Sequence, residues 1–347
     1  MKKSLAEQMQ ESTQKRRKRQ WAVMITFAVF MVAFIFLSMN TGFSKLAPGE
    51  VLNTLFGNGS SRQNLILFEF RMPRIVISML VGAGLAVSGC ILQGVSRNAL
   101  ADPGILGITS GSGLIVVLYL SFYSSTAEAP TLLLPFLALA GGLVIAAIIY
   151  VLSYSKKDGL SPNRMVLTGI AVTAAVNGLM IVLMLRLNPN KYDMVASWLA
   201  GSIWGSTWKQ VLTLLPWVSL LIVFAFLRSR KLDALSLNEN VASSLGVNLN
   251  RERLYLLLIA VGLAAACVAF TGGIGFVGLI APHLARRLVG PGHQMLLPAS
   301  ALGGALLLLM ADTLGRLVFP ATEIHAGIMV AIIGAPYFLY LLSKSKM

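Results

Sequence analysis

The chain alternates between long apolar runs and short polar or basic segments. A helix rises 1.5 Å per residue and the hydrocarbon core of a bilayer is about 30 Å thick, so a membrane span needs roughly 20 mostly apolar residues. Charge-free runs of this kind occur at residues 21–40, 75–96, 103–122, 131–154, 165–185, 210–227, 294–311 and 324–343. The pattern therefore predicts an all-α integral membrane protein.

The run at residues 254–285 is too long for one ordinary span. Its 32 residues contain no Lys, Arg, Asp or Glu and would extend about 48 Å as a helix. Adjacent glycines weaken a helix and allow a tight reversal, so we expect a break at Thr271, Gly272 and Gly273. Dividing the run there gives ten transmembrane helices. Residues 1–20 form a basic tail, and residues 21–347 form one transmembrane domain.

Composition and charge agree with this layout. The chain is 56% hydrophobic and 12% charged, against about 25% charged for soluble domains. Its net charge of +15 does not indicate nucleic-acid binding, because the basic residues fall between apolar runs. With both termini in the cytoplasm, ten spans place 20 of the 28 Lys and Arg residues on the cytoplasmic side, as the positive-inside rule requires. We therefore expect a multi-pass protein of the cytoplasmic membrane.

The sequence offers little chemistry of its own. It has no GxxxxGK[ST] phosphate loop, and its three histidines are far apart. Catalytic residues, metal ligands and a cofactor are therefore not predicted, and Cys90 and Cys267 are interpreted as packing residues. Asp312 is the main acidic residue within a span, and Arg316 follows it at helical pairing distance. Because acidic residues are scarce within the spans, an ion-coupled secondary transporter is disfavoured, although it is kept as the alternative. A membrane-embedded enzyme is the least favoured class.

The connection at residues 228–253, between the sixth and seventh spans, is longer than a simple turn. Ser236 and Glu239 form an S-x-x-E capping pattern, with apolar residues following at helical spacing and Gly246 as a stop. This pattern predicts a short amphipathic helix within residues 232–250. From the pattern alone, such a helix could either rest on the lipid surface or contact a partner.

Six segments, taken in order, resemble the iron-siderophore and cobalamin permease family of ABC importers. The resemblance extends over about residues 64–342, nearly the whole chain except its first span and tail. The segments are RMPR at 71–74, VGAGLAVSGCILQG at 81–94, RNALADPGILGITSG at 97–111, LSLNENVASSLGV at 235–247, FTGGIGFVGLIAPHLAR at 270–286 and LLPASALGGALLLLMAD at 296–312.

The resemblance implies two ten-helix permease subunits, two cytoplasmic ATPases and an extracytoplasmic substrate-binding protein, with ATP hydrolysis on the separate ATPase. The second permease could be identical or a paralogue. The implied cargo is a ferric siderophore or a similar chelate, with heme and cobalamin as less favoured candidates. The protein would thus translocate a chelate without being an enzyme itself.

The resemblance also assigns roles to residues. The segment that matches the family's ATPase-coupling helix contributes Ser236, Leu237, Asn238, Glu239, Ala242, Leu245, Gly246 and Val247. The positions that would receive acidic residues of the binding protein are Arg71, Arg74 and Arg316. Apart from the resemblance, helix packing or a place on the transport path is predicted for Gly89, Gln93, Asn98, Asp102, Gly107 and Gly111.

The chain departs from the family pattern at a few positions. Ala99 and His325 stand where proline is usual, and Asn238 and Asn240 stand where glycine and glutamate are common. Because proline fixes φ and histidine does not, we expect His325 to alter the start of the tenth span.

Overall fold

The computed structural model describes residues 5–42, 44, 46–122, 132–155, 159–237, 242, 244, 248–318 and 324–344. The described chain is mainly helical. Its first half contains α1 (Leu5–Asn40), α2 (Pro48–Leu55), α3 (Ser61–Asn64), a π-helix (Leu65–Arg71), α4 (Met72–Ser96), a 3₁₀-helix (Pro103–Leu106), α5 (Ile108–Phe122) and α6 (Leu133–Ser153). Its second half contains α7 (Pro162–Met184), α8 (Pro189–Leu199), α9 (Trp208–Leu227), α10 (Ser229–Leu235), α11 (Leu249–Thr271), α12 (Val277–Val289), α13 (His293–Val318) and α14 (Ala326–Lys344). Between α6 and α7, β1 (Tyr154–Ser155) pairs antiparallel with β2 (Gly159–Leu160).

Eight helical segments of the described chain are long and apolar enough to cross a membrane. Two shorter helices complete the predicted set. Helix α5 has 15 residues, because a 3₁₀-helix and Gly107, at φ +66°, occupy the beginning of the predicted third span. Helix α12 has only 13 residues. The all-α membrane fold is confirmed, but two of the ten predicted spans contain helices shorter than expected.

The predicted break at the paired glycines is confirmed. Helix α11 ends at Thr271, and Gly272 follows with φ +71°. A Cβ added to Gly272 would lie 1.9 Å from the carbonyl oxygen of Trp198, so only glycine fits this close approach. Residues 273–276 are not helical, and α12 begins after Phe276, which has φ +65°. This irregular backbone provides the length that α12 lacks.

The second span begins earlier than its charge pattern predicts. The sequence places its start at residue 75, after Arg71 and Arg74, whereas the chain is helical from Ser61 to Ser96. The helix continues through the arginines because both have partners inside the protein. Its 36 residues make it about 54 Å long, so its beginning extends beyond a hydrocarbon core of ordinary thickness.

Helix α4 lies at the centre of the bundle, where glycines allow neighbouring backbones to approach closely. A Cβ added to Gly82 of α4 would lie 2.3 Å from the carbonyl oxygen of Gly304 in α13. At Gly89, an added Cβ would lie 1.8 Å from the carbonyl oxygen of Gly278 in α12. In lipid, such contacts replace the hydrophobic effect as a source of helix association. Together they fix α12 and α13 against α4.

Candidate partner-docking surfaces

The two ends of α4 define two ends of the bundle. The end that carries Arg71, Arg74 and Arg316 is called the arginine end, and the end that carries helix α10 is called the α10 end. Helix α4 runs from the first to the second, and α13 returns antiparallel to it, since Arg74 meets Asp312 near the end of α13. The 25 residues of α4 separate the two ends by about 37 Å.

At the arginine end, Asp312 is shared between two arginines. Arg74 donates to its Oδ1 from Nε at 3.0 Å and from Nη2 at 2.8 Å. Arg316 donates from Nη2 to Oδ2 at 2.9 Å, which is the ion pair that their spacing predicted. The Asp312 side chain is only 1% exposed. A carboxylate this deeply buried requires such partners, because desolvation penalises an unpaired charge.

The arginines also hold the end of α1. Arg316 donates from Nη1 to the carbonyl oxygen of Thr41 at 3.0 Å and from Nη2 to Oγ of Ser38 at 2.5 Å. Arg71, which is 6% exposed, donates to the carbonyl oxygens of Met39 and Ser44. The last carbonyl groups of a helix lack intrahelical partners and attract cations. The arginine cluster therefore caps the end of α1 beside the beginning of α4.

The three predicted docking residues thus lie in one cluster, as a shared docking surface requires. Their side chains are mostly buried, with exposed fractions of 13% for Arg74 and 11% for Arg316. Any carboxylate of a partner would have to approach from the remaining exposed edge. Docking itself stays a prediction. Sequence reasoning paired Asp312 with Arg316 but missed Arg74, which lies 238 residues away and gives no local signal.

At the α10 end, the structure describes only part of the predicted coupling helix. Ser236 directly follows α10 and donates from Oγ to the carbonyl oxygen of Asp233 at 2.6 Å. Leu237 is 45% exposed, and Ala242 is buried. The other assigned residues lie outside the described chain, and they are Asn238, Glu239, Leu245, Gly246 and Val247. The capping pattern of Ser236 with Glu239 therefore stays a prediction.

Helix α10 leads directly into this segment, and two of its contacts are ionic. Arg228, which precedes α10, donates to Oε2 of Glu252 at 2.5 Å, and Lys231 donates to Oε1 of the same carboxylate. Oδ1 of Asp233 accepts the main-chain N–H of His293 at 2.9 Å and lies 2.6 Å from its Nδ1. These contacts join α10 to the beginnings of α11 and α13.

Helix α10 is also tied to the end of α4. Arg97 has φ +52° and donates from Nε to the carbonyl oxygen of Leu235 at 3.0 Å. Leu232 is fully buried, and a Cβ added to Gly94 would lie 2.8 Å from its Cδ1. A displacement of α10 would therefore move or break contacts with α4, α11 and α13. Sequence reasoning missed this arrangement, although acidic residues in a basic connection are a signal for ion pairs.

The residues assigned to packing or the path lie at helix contacts and turns. Gln93 is 1% exposed and donates from Nε2 to the carbonyl oxygen of Leu279 at 3.3 Å, beside the contact of Gly89 with α12. A Cβ added to Gly111 of α5 would lie 2.5 Å from the carbonyl oxygen of Gly141 in α6. Gly107 supplies the positive φ before α5.

Asn98 and Asp102 shape the turn between α4 and α5. Oδ1 of Asn98 accepts the N–H of Leu100 at 2.9 Å, and Oδ1 of Asp102 accepts the N–H of Gly104 at 2.8 Å. Both side chains accept a backbone N–H two residues later, as Asn and Asp typically do in turns. Within the described chain, we find no group of three His, Cys, Asp or Glu residues that could hold a metal ion.

The departure at His325 has a structural counterpart. Helix α14 begins at Ala326, immediately after His325, rather than at residue 324 as predicted. Nε2 of His325 lies 2.5 Å from Oγ of Ser197 in α8. The residue that replaces proline here therefore connects the beginning of α14 to a neighbouring helix.

Comparison with known proteins identifies the family. The model of the FecCD transport family matches residues 30–344. The iron(3+)-hydroxamate import system permease protein FhuG of Bacillus subtilis is 47% identical, over 93% of this chain and 96% of the relative. The Fe(3+)-citrate import system permease protein YfmE of the same organism is 43% identical, over 96% of this chain and 98% of the relative.

A solved structure shows the same architecture. An inward-facing metal-chelate type ABC transporter superposes with a TM-score of 0.80 at 32% sequence identity, covering 94% of this chain and 99% of the other. The match extends over nearly all of both chains. By sequence and by fold, the chain belongs to the FecCD transport family.

Proposed function

We propose that this chain is the permease subunit of an ATP-driven importer that carries a ferric siderophore, with ferric hydroxamates as the first substrates to test. The observation that carries this proposal is full-length similarity to permeases of iron(3+)-hydroxamate and Fe(3+)-citrate import systems. A hemin permease of Yersinia pestis is more distant, at 36% identity. This order favours an iron chelate over heme. ATP hydrolysis belongs to a separate subunit, as in ABC importers generally.

The proposed assembly contains a second permease, two ATPases and a substrate-binding protein. The arginine cluster supports a docking surface for acidic residues of the binding protein, because guanidinium groups bind carboxylates through charge-assisted hydrogen bonds. The contacts of α10 support the opposite end as the ATPase surface. There, a movement of residues 236–247 would be passed to α4, α11 and α13 through Arg97, Glu252 and Asp233.

The chain is a multi-pass protein of the cell membrane, and we place both termini in the cytoplasm. The distribution of Lys and Arg supports this orientation. A cysteine introduced at Ser125 should then react with a membrane-impermeant thiol reagent from outside, whereas one at Asp158 should not. Both positions lie outside the described residues. The native Cys90 and Cys267 are buried and should contribute little background labelling, while the opposite labelling pattern would reverse the assignment of both surfaces.

An ion-coupled mechanism is disfavoured by the state of Asp312. A proton or sodium relay needs a carboxylate that can exchange its partner. Both oxygens of Asp312 are instead held by arginines.

The decisive experiment is uptake into proteoliposomes that contain this permease, its partner permease and the ATPase. A binding protein loaded with ferric hydroxamate is added outside, with ferric citrate and hemin in parallel. We expect hydroxamate uptake that requires internal ATP and is insensitive to ionophores. Uptake that persists without the ATPase and collapses with an ionophore would support the alternative instead.

A further inference from the structure

Two side chains in the basic part of α1 cap the end of α12. Arg19 donates from Nε to the carbonyl oxygen of Leu288 at 2.8 Å and from Nη2 to that of Arg287 at 2.6 Å. Gln20 donates from Nε2 to the carbonyl oxygen of Val289 at 2.8 Å. These carbonyl groups have no partner within α12. The contacts satisfy them and hold the two helices side by side.

A groove of about 330 Å³ lies beside this contact. Lys15 and Arg16 of α1 line one side, and Gly290 and Pro291 of the turn between α12 and α13 line the other. A Cβ added to Gly290 would lie 3.0 Å from Nη2 of Arg16, so the guanidinium group sits directly over the turn. The residues that line the groove in the described structure include no carboxylate.

The groove lies where a bilayer would place its headgroups. Directly after the basic residues, α1 presents Trp21, Ile25 and Val29, which are 55%, 61% and 62% exposed. A line of exposed apolar side chains on a membrane-spanning helix faces lipid, and tryptophan is enriched at the boundary between the hydrocarbon and the headgroups. Trp21 and Ile25 line the face of α1 opposite the groove, so they indicate the depth of that boundary. Lys15 and Arg16 lie about 8 Å beyond it along the helix, among the headgroups.

We propose that this groove binds the phosphate of an anionic phospholipid, with Lys15 and Arg16 as its ligands. Ammonium and guanidinium groups bind phosphate oxygens through charge-assisted hydrogen bonds. Each Lys or Arg in a basic cluster beside a membrane span raises the affinity for an anionic lipid about fivefold. Arg19 and Gln20 occupy the α12 carbonyl groups, which would otherwise repel an anion. Leu288 and Val289 add apolar lining, which suits a lipid better than inorganic phosphate.

The opposite face of α1 offers a matched control. Arg17 and Lys18 lie beside Trp21, and the surface around them is lined by α1 alone. The two pairs carry equal charge and differ in position along α1 by only about 3 Å. Only Lys15 and Arg16 face a second wall of protein, so the proposal predicts different behaviour for the two pairs, whereas general attraction to an anionic surface predicts the same.

The test uses the full-length chain in detergent and measures binding of individual lipids by native mass spectrometry. Phosphatidylglycerol should bind more tightly than phosphatidylcholine. The double variant Lys15→Gln with Arg16→Gln should lower phosphatidylglycerol affinity by roughly 20-fold, about fivefold for each charge. The double variant Arg17→Gln with Lys18→Gln should lower the phosphatidylglycerol affinity by a factor several times smaller. Both double variants should have the same melting temperature as the unaltered protein, since all four residues are exposed.

Two results would overturn the proposal. An equal loss of affinity in both double variants would show that overall charge, not the groove, attracts the lipid. Displacement of phosphatidylglycerol by inorganic phosphate at a similar concentration would assign the groove to a free anion. The single variant Lys15→Gln provides an independent measurement, with an expected loss of about fivefold if the groove binds lipid.

Discussion

Arg74 and Asp312 lie 238 residues apart in the sequence, yet Nη2 of Arg74 is 2.8 Å from Oδ1 of Asp312. This contact closes the arginine end of the bundle, because it joins the beginning of α4 to the end of α13. Arg316 takes the other oxygen of the carboxylate and also holds α1. One buried carboxylate thus connects three membrane spans, and several expectations depend on it.

Replacing Asp312 should destabilise the folded protein. Asp312→Ala would leave two mostly buried arginines without their anion, and removing one partner of a buried ion pair costs about 3–5 kcal/mol. Asp312→Asn keeps the shape and one acceptor, so its loss should be smaller. The free energy of unfolding in detergent measures both effects. Arg62→Gln, at an exposed position before α4, is the control, and an unchanged stability of Asp312→Ala would contradict the ion-pair role.

Changes in the arginine cluster should weaken capture of the loaded binding protein. Desolvated charge pairs across an interface cost about 2–5 kcal/mol when one partner is truncated, and rim pairs mainly steer association. Arg71→Ala, Arg74→Glu and Arg316→Ala should therefore raise the binding-protein concentration needed for half-maximal uptake. Arg74→Glu should have the largest effect, since it repels an acidic partner.

Docking must be separated from the internal role of these arginines. A reciprocal Glu→Arg change on the binding protein should restore part of the uptake of Arg74→Glu, which a purely structural role does not explain. Arg74→Lys keeps the charge but cannot reproduce the two hydrogen bonds to Asp312, so it should lower stability without adding repulsion against an acidic partner. Arg62→Glu introduces the same charge at an exposed position and serves as the control. An unchanged half-saturation in all three cluster variants would remove the docking assignment.

Disrupting the predicted coupling helix should abolish uptake without preventing insertion. Leu245→Asp places a charge on its apolar face, and Gly246→Pro removes the flexible stop. Both residues lie outside the described chain. Permease abundance, uptake and substrate-stimulated ATP hydrolysis should be measured together. Normal uptake and normal stimulation in both variants would refute the coupling assignment.

Weakening the contact between α10 and α13 should uncouple hydrolysis from transport. Asp233→Asn retains the side-chain size but loses the charge that faces His293, which weakens the contact by about 1.5 kcal/mol, and uptake should fall. ATP hydrolysis should continue, because the ATPase itself is unaltered. Arg230→Gln, on the exposed face of the same helix, is the control. An equal decrease in hydrolysis and uptake would argue against a transmission role for α10.

Adding a methyl group at Gly89 should be costly, whereas the same change at Gly178 should not. The Cβ of Gly89→Ala would lie 1.8 Å from the carbonyl oxygen of Gly278, which forces α4 and α12 apart. Overpacking of this kind costs about 1–3 kcal/mol or more. Gly178 in α7 has open space around it, and alanine there should stabilise the helix by up to about 1 kcal/mol. Melting temperatures that change alike would contradict the close-contact interpretation.

The sequence predicted features that depend on local chemistry. Apolar length located the ordinary spans, such as the predicted run 210–227 and the observed α9, Trp208–Leu227. The glycine pair located the end of α11 because a positive φ and a close backbone approach are properties of glycine itself. These predictions needed no knowledge of the remaining fold.

Features that depend on distant partners were not predicted. Arg71 and Arg74 interrupt the charge-free run, and only their contacts with Met39, Ser44 and Asp312 explain why the helix continues through them. Likewise, Asp233 becomes informative only when the bundle brings it to His293. The three arginines were assigned to docking by resemblance, which stays a prediction, whereas their shared burial could not be read from local sequence patterns.

The π-helix at Leu65–Arg71 has a consequence for comparing this chain with its relatives. A π-helix closes its hydrogen bonds over one more residue per turn than an α-helix, so it is equivalent to a single-residue insertion. A relative with an uninterrupted α-helix here should align with a one-residue gap within this segment. Deleting one of these residues should therefore convert the segment to a regular α-helix and leave the helices on both sides in register. A single codon would then decide whether Arg71 is preceded by a widened turn or by an ordinary one.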